Sequence, residues 1–404
     1  MNKAKVFFLH IPKTAGTSVR EYFEWSYPAR EICAGFSELS ISEALAREGP
    51  SRRFYSGHVS FDYLDYFFPE HAWLTFLRDP LARTVSQYSN WITESMHQDR
   101  WLEGEGSDAL RAAVQEATTM PGIAEFVMAD NPIIRGVSFN PLTRNLISGQ
   151  FPTDRFEPDF YDEALVDEAL RNLTQRFAFF GITERMADSL ELLGREFAHL
   201  PRRIERKNTT ERKDCTPEET AAVERMIRMD TELYRRACDV FAQRVESSAH
   251  WSSTSAALQA LQGAFQRNGE IRADSPVVEN GWGFLQEGQN GLRYRWTEGS
   301  SEAPARLLVP DAEDCQRVRL FTFGFVTQAY ADSLVVTLGD TPLALEGLRT
   351  GNYGNILSWR IPPDAPEVQR SGSTWLSVLS PKSLAGAEGQ QRNIGFALFK
   401  AEVI

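Results

Sequence analysis

A lysine, a glycine and three hydroxyl residues stand together in Leu9-His-Ile-Pro-Lys-Thr-Ala-Gly-Thr-Ser18, directly behind the apolar run Val6-Phe-Phe-Leu9. A strand that feeds a glycine-containing turn and then a helix makes an anion site. The first helical turn has N–H groups without intrahelical partners, and the helix dipole favours negative charge there. Lys13 adds a mobile positive charge, Thr14, Thr17 and Ser18 carry hydroxyl donors, and Gly16 permits close backbone approach. The nucleotide-triphosphate loop G-x-x-x-x-G-K-[ST] is excluded, because the dipeptide Gly-Lys occurs nowhere in the chain.

Two further stretches have the same chemical character. Thr75-Phe-Leu-Arg-Asp-Pro-Leu-Ala-Arg-Thr-Val-Ser-Gln-Tyr88 again reads as strand end, turn and helix. It sets Arg78 at the strand's carboxyl end and Ser86 two helical turns on, where an arginine and a hydroxyl could hold a second phosphate. The bland alternative pairs Arg78 with Asp79 and leaves Arg83 solvated. Arg206-Lys-Asn-Thr-Thr-Glu-Arg-Lys213 is a basic, hydroxyl-rich loop which, alone, would read as a solvated charge run.

The elements that must position these residues follow from hydrophobic pattern. Strands are expected at Lys5–His10, Arg53–Ser56, Ala72–Leu77 and Phe177–Ile182, with helices at Gly16–Trp25 and Leu81–Glu94. Thr183 opens a capped amphipathic helix, and Thr216-Pro217 starts a long one with apolar spacing as far as Phe241. Short apolar strands alternating with helices indicate an α/β domain around a parallel sheet, spanning 1–247, with a helical insertion at about 97–160. Residues 248–268 read as linker and short helix. Beyond them, Leu292–Trp296, Val318–Val326, Leu334–Leu338, Trp375–Leu379 and Ile394–Ala401 give an all-β sandwich over 269–404. Its aromatics, Trp282, Trp296, Tyr330, Tyr353, Trp359 and Trp375, invite a sugar-binding reading, although aromatics in sandwiches are usually core.

Bulk properties limit the function classes. A chain of 404 residues with 42% hydrophobic content has material for two cores. A net charge of −12 argues against a general nucleic-acid binder without excluding a local basic pocket. Four scattered cysteines propose neither a zinc site nor a disulfide framework. No signal peptide and no membrane-spanning stretch is read, so a cytoplasmic protein is expected.

Pro12-Lys-Thr-Ala-Gly-Thr-Ser18 with Arg78-Asp-Pro-x-x-Arg-x-x-Ser86 resembles the paired motifs of PAPS-dependent sulfotransferases, which use 3′-phosphoadenosine 5′-phosphosulfate. The likeness is to the P-loop-type carbohydrate sulfotransferases related to heparan sulfate 2-O-sulfotransferase. It extends to Tyr55-Ser-Gly-His-Val-Ser60, Phe180-Gly-Ile-Thr-Glu184, Asn208-Thr-Thr-Glu-Arg212 and Asp230-x-Glu-Leu-Tyr234, across roughly residues 5–245. The resemblance implies the sulfotransferase fold, with PAPS as donor and no metal. Lys13, Thr14, Ala15, Gly16, Thr17 and Ser18 would cradle the 5′ end, Arg78 and Ser86 the 3′-phosphate, and Thr209 and Arg212 would close over the nucleotide. His58 would be the general base and Lys13 would stabilise the leaving phosphate. The uronyl 2-O-sulfotransferases carry His-Gly-His where this chain has Ser56-Gly57-His58, which leaves the acceptor in doubt. His10, on the first strand, reads as a packed side chain, while His71, His97, His199 and His250 show no site spacing. Arg144 is a candidate contact for an anionic sugar or a surface ion pair, and Tyr88, Trp91 and Trp101 could stack on a sugar ring, although in an α/β domain such residues are more often core or rim.

The expected partner is a carbohydrate acceptor (oligosaccharide, polysaccharide or glycolipid), with no nucleic acid and with homo-oligomerisation left open. The sandwich would be accessory or carbohydrate-binding. The rival readings are an ATP-dependent small-molecule kinase and a non-catalytic carbohydrate-binding protein with a vestigial nucleotide site.

Overall fold

The computed structural model describes residues 5–92, 108–149, 151, 156–198, 200, 215–248, 252–261, 265, 269–279, 281–288, 291–298, 303–323, 326–351, 354–380 and 394–404. Two units divide them. One draws on Met1–Arg20, Cys33–Ser189 and Glu205–Ser247, the other on Glu21–Ile32, Leu190–Ile204 and Ser248–Ile404.

The first unit is an α/β layer structure. Its sheet comprises β1 (Val6–Leu9), β2 (Ile32–Ser37), β3 (Phe54–His58), β4 (Ala72–Leu77) and β5 (Phe177–Ile182), in the order β2-β3-β1-β4-β5. The β3–β1, β1–β4 and β4–β5 pairings are parallel, with Leu9 level with Gly57 on one side and Thr75 on the other. Every β1 residue is buried, as a strand covered on both faces requires. The order changes direction at β1, so the carboxyl ends of β1, β3 and β4 lie side by side at a topological switch point. The expected parallel sheet with helices is therefore present. β2 is an addition that the sequence reading did not include.

Helices α1 (Gly16–Ser26), α2 (Glu38–Glu48), α3 (Phe61–Phe67) and α4 (Pro80–Ile92) link or follow these strands. The insertion contributes α5 (Asp108–Thr118), α6 (Ile123–Met128), α7 (Pro132–Ser138) and α8 (Pro141–Arg144). Next come α9 (Glu163–Gln175), α10 (Met186–Glu196), α11 (Pro217–Met226) and α12 (Arg228–Ser247). Thr216 caps α11 reciprocally with Glu219, as its sequence signature requires. The long helix expected from Thr216 is two helices, broken at Ile227, whose ψ of 24° leaves the helical region. Thr183 is not a cap: its hydroxyl donates to Leu77 O at 3.0 Å, because β5 runs beside β4 and brings the two strand ends together.

A buried polar cluster bolts the insertion to α4. Asp230, with no exposure, accepts from Leu142 N at 2.9 Å and Thr143 N at 2.7 Å and so caps α8. Asn140 Oδ1 accepts Asp230 N at 3.0 Å. Arg83, buried in α4, donates through both terminal nitrogens to Val137 O at 3.0 and 2.6 Å. Arg144 donates to Gly136 O at 2.8 Å and Phe139 O at 3.2 Å, and stacks 4.3 Å from the Phe156 ring centre. Burial pulls both guanidinium pKa values down to about 10, against the opposing pull of Asp230.

The second unit holds two antiparallel sheets. The larger comprises β6 (Glu270–Arg272), β7 (Gln286–Glu287), β8 (Arg293–Glu298), β10 (Arg317–Phe323), β13 (Ala344–Gly351), β14 (Gly354–Arg360) and β16 (Ile394–Val403). The smaller runs β12 (Thr341–Pro342), β11 (Val335–Leu338), β15 (Thr374–Leu379), β9 (Ala305–Val309). Leu320, Leu357 and Leu398 of the first share one apolar cluster with Leu307, Leu338 and Leu376 of the second. Trp282, Tyr330 and Trp359 belong to that core, Trp375 packs against it, and Tyr353 lies outside the described residues. Within this unit Arg295 is buried. It lies 4.0 Å from the Trp25 ring centre and donates to Trp25 O at 2.6 Å and Ala273 O at 2.7 Å.

Among the described residues Asp230 is the carboxylate of the α4–α8 cluster, and removing it would strand two buried guanidinium groups and two helix N–H groups. Asp230→Ala is expected to lower the urea stability of the first unit by about 3 kcal/mol or more. An unchanged denaturation midpoint would show that the cluster does not hold the insertion.

Candidate functional site

The loop leaving β1 makes an unusual turn. Lys13 and Ala15 have φ of 70° and 66°, left-handed values that cost non-glycine residues energy, on the order of 1–2 kcal/mol each. Thr14, between them, is fully buried, and its hydroxyl donates to Ile11 O at 2.8 Å, closing the turn on itself. The hydroxyl expected to face an anion thus fixes the loop. α1 starts at once, its first intrahelical bond being Val19 N to Ala15 O at 3.2 Å. The N–H groups of Gly16, Thr17 and Ser18 therefore precede the helical ladder, and no acidic residue stands in this first turn.

Positive charge converges on the loop. Arg78 leaves the end of β4 and donates through Nη1 to Lys13 O at 3.1 Å. Lys13 Nζ donates to Asn90 Oδ1 at 2.8 Å. Burial, then Arg78 and Arg83, pull the Lys13 pKa down to about 8, the response of an ammonium taken out of water beside two guanidinium groups. Arg83, Ser86 and Asn90 follow one another at helical spacing on α4, so a single face of that helix turns toward Lys13. Ser86 itself is half-buried on that face.

Neither part of the bland alternative describes this corner. Asp79 does not pair with Arg78 but caps α4, accepting Ala82 N at 2.8 Å, and Arg83 is buried. Among the described residues the carboxylate near Arg78 is Glu184, whose Oε1 is 4.0 Å from Arg78 Nε and accepts Asp79 N at 3.2 Å. Its Oε2 accepts the Tyr234 hydroxyl at 2.7 Å. Asn90 and Glu184 were not singled out from sequence. Asn90 could have been found four residues after Ser86 on the same helix face, and Glu184 lies inside a quoted motif.

The two histidines meet at the same strand ends. His58 closes β3, and its Nδ1 hydrogen-bonds the carbonyl oxygen of His10. A carbonyl only accepts, so Nδ1 carries the proton and Nε2 the lone pair. Burial outweighs this hydrogen bond and lowers the His58 pKa below 6.5, so the ring is neutral at pH 7. The ring centres of His10 and His58 are 4.4 Å apart. A Cβ on Gly16 would lie 1.7 Å from His10 Nε2, so the imidazole occupies the space that a side chain would need. Gly16 was expected to admit a ligand to the backbone; it also makes room for His10.

Of the other expected residues, Thr17 is exposed and Ser18 half-buried in the first turn of α1. Thr209 and Arg212, with His97, Trp101, His199 and His250, lie outside the described residues. Tyr88 and Trp91 are core, against Phe126, and Arg144 is the buried anchor described above rather than a surface contact. His71 packs edge-on to Tyr55 and Phe68. No helix among the described residues is long and apolar enough to cross a membrane.

Lys13 is expected to titrate at about 8, and Arg78→Met to move that value up by removing a neighbouring charge. NMR titration of the lysine side-chain nuclei reads this directly. An ordinary lysine value near 10.5 in the wild-type protein would contradict the geometry.

No family model matches the chain, and no curated protein matches it. Among solved structures it is similar to the mouse sulfotransferase SULT7A1 complexed with PAP, at 15% identity and a TM-score of 0.28. That match covers 57% of this chain and 65% of the other, less than two thirds of its length. A likeness this distant carries no argument about what the chain does.

Proposed function

We propose that the chain is a sulfotransferase that moves the sulfuryl group of PAPS to a hydroxyl of a carbohydrate acceptor. The observation that carries this reading is the meeting of three features at the carboxyl ends of β1, β3 and β4. These are an acid-free helix N-terminus, a lysine depressed to about 8 by burial and then by two arginines, and a neutral histidine with its Nε2 lone pair assigned. The first two suit a phosphate-type anion, and the third suits removal of a hydroxyl proton. The choice of phosphosulfate and of a sugar rests on the paired motifs Pro12–Ser18 and Arg78–Ser86.

On this reading, the acceptor oxygen attacks sulfur in line as its proton passes to His58 Nε2. The bond from sulfur to the 5′-phosphate oxygen breaks, and its electron pair stays on that oxygen. Lys13 and the N–H groups of Gly16, Thr17 and Ser18 face the charge that builds there, while Arg78 and Ser86 hold the 3′-phosphate. The carbonyl of His10 fixes the base's tautomer and stabilises the imidazolium as it forms.

Calorimetric titration with PAP, with ATP as the control, tests the donor site. PAP should bind and ATP should not, and Lys13→Ala should weaken PAP by roughly tenfold to a hundredfold, as loss of a charged hydrogen bond does. Affinity should fall as pH rises through about 8, where free Lys13 loses the proton that an anion requires. His58→Ala should keep PAP binding and lose roughly 10²–10⁴-fold in transfer. Equal binding of ATP, or none of PAP, would refute the reading.

A further inference from the structure

We propose that His10 is a second catalytic histidine, whose neutral imidazole donates a hydrogen bond to a non-bridging oxygen of the group being transferred. The inference rests on the sulfuryl-transfer reading and extends it to a residue that the sequence assigned to packing.

Three observations on different atoms support it. The ring lies over the first residue of α1, its Nε2 1.7 Å from the place a Gly16 Cβ would take. It therefore borders the N–H groups of Gly16, Thr17 and Ser18, where the transferring anion must lie. The other side of the ring meets His58, ring centres 4.4 Å apart, so base and donor can address one reacting centre. Among the described residues neither ring nitrogen of His10 has a hydrogen-bond partner, although the side chain is largely enclosed. Neither nitrogen is sealed from solvent, so an N–H there is open to an incoming oxygen. Phe8, stacked with ring centres 5.4 Å away, holds the ring in place.

The electrostatics are consistent with donation by a neutral ring. Burial, His58, Arg20 and Lys13 all oppose a second positive charge on His10. A neutral imidazole at a helix N-terminus can still polarise an oxygen through its N–H, without competing with His58 for the acceptor's proton. The bonds made and broken are those already given. Sulfur exchanges the 5′-phosphate oxygen for the acceptor oxygen, the proton rests on His58 Nε2, and His10 keeps its own.

The test compares His10→Phe, which keeps the flat ring and removes the donor, with His10→Gln, whose amide N–H can reach a similar position. Each is measured for PAP affinity by calorimetry and for release of PAP from PAPS, with water as acceptor if no sugar is found. His10→Phe should bind PAP within about threefold of wild type yet lose roughly 10²–10³-fold in kcat, as when a transition-state donor is removed. His10→Gln should recover at least tenfold of that loss. Undiminished kcat in His10→Phe overturns the proposal, as does equal loss in both variants or a PAP affinity that falls in step with kcat. Failure of the wild-type protein to bind PAP or to turn over PAPS would instead sink the parent reading.

Discussion

Positive charge concentrated at the carboxyl end of β1 is the constraint on which the rest of the first unit depends. The chain as a whole carries a net charge of −12, yet Lys13, Arg78 and Arg83 gather within one another's fields. Like charges in a partly desolvated pocket repel strongly, so something must hold them together. The hold is mostly neutral. Lys13 bonds an amide oxygen, Arg78 and Arg83 bond main-chain carbonyls, and Asp230 is the buried carboxylate whose field reaches Arg83. Each of these neutral partners orients a cation without adding a negative charge, which is what the proposed anion site would need.

The same economy of position explains the insertion. Arg83 shares its helix with Ser86 and Asn90, and its guanidinium is fixed to the end of α7 through Val137 O. The insertion therefore sets the rotation of α4, and through Asn90 the direction of Lys13. Residues far from the proposed chemistry control the geometry at it, which is how a polar core confers specificity at some cost in stability.

Gly16 shows how a single residue can carry two meanings. A glycine at a helix start reads as permission for backbone approach. The structure adds a neighbour, since the His10 ring fills the space a side chain would take. The left-handed turn at Lys13 and Ala15 makes this possible by folding the loop back over the strand end that bears His10.

Four of the five sheet strands were legible, because β1, β3, β4 and β5 are buried apolar runs ended by turn or charged residues. β2, Ile-Cys-Ala-Gly-Phe-Ser, is short, contains a glycine and lies at the sheet edge, so neither length nor alternation marks it. In the second unit β13, with Gly347, Arg349 and Thr350, was hidden for the same reason, its regularity coming from pairing with β14. The aromatic residues there gave no indication of which face they occupy, since burial in a sandwich depends on the partner sheet. The strand–turn–helix around Lys13 was legible because its three parts follow one another within about ten residues and need only local hydrogen bonds. The meeting of His58 with His10, 48 positions apart, was not, nor was Asn90 under Lys13 at a separation of 77. Local sequence determines what each segment can become. Which side chains share a pocket was decided by the order of the strands, because parallel pairing sets distant carboxyl ends side by side.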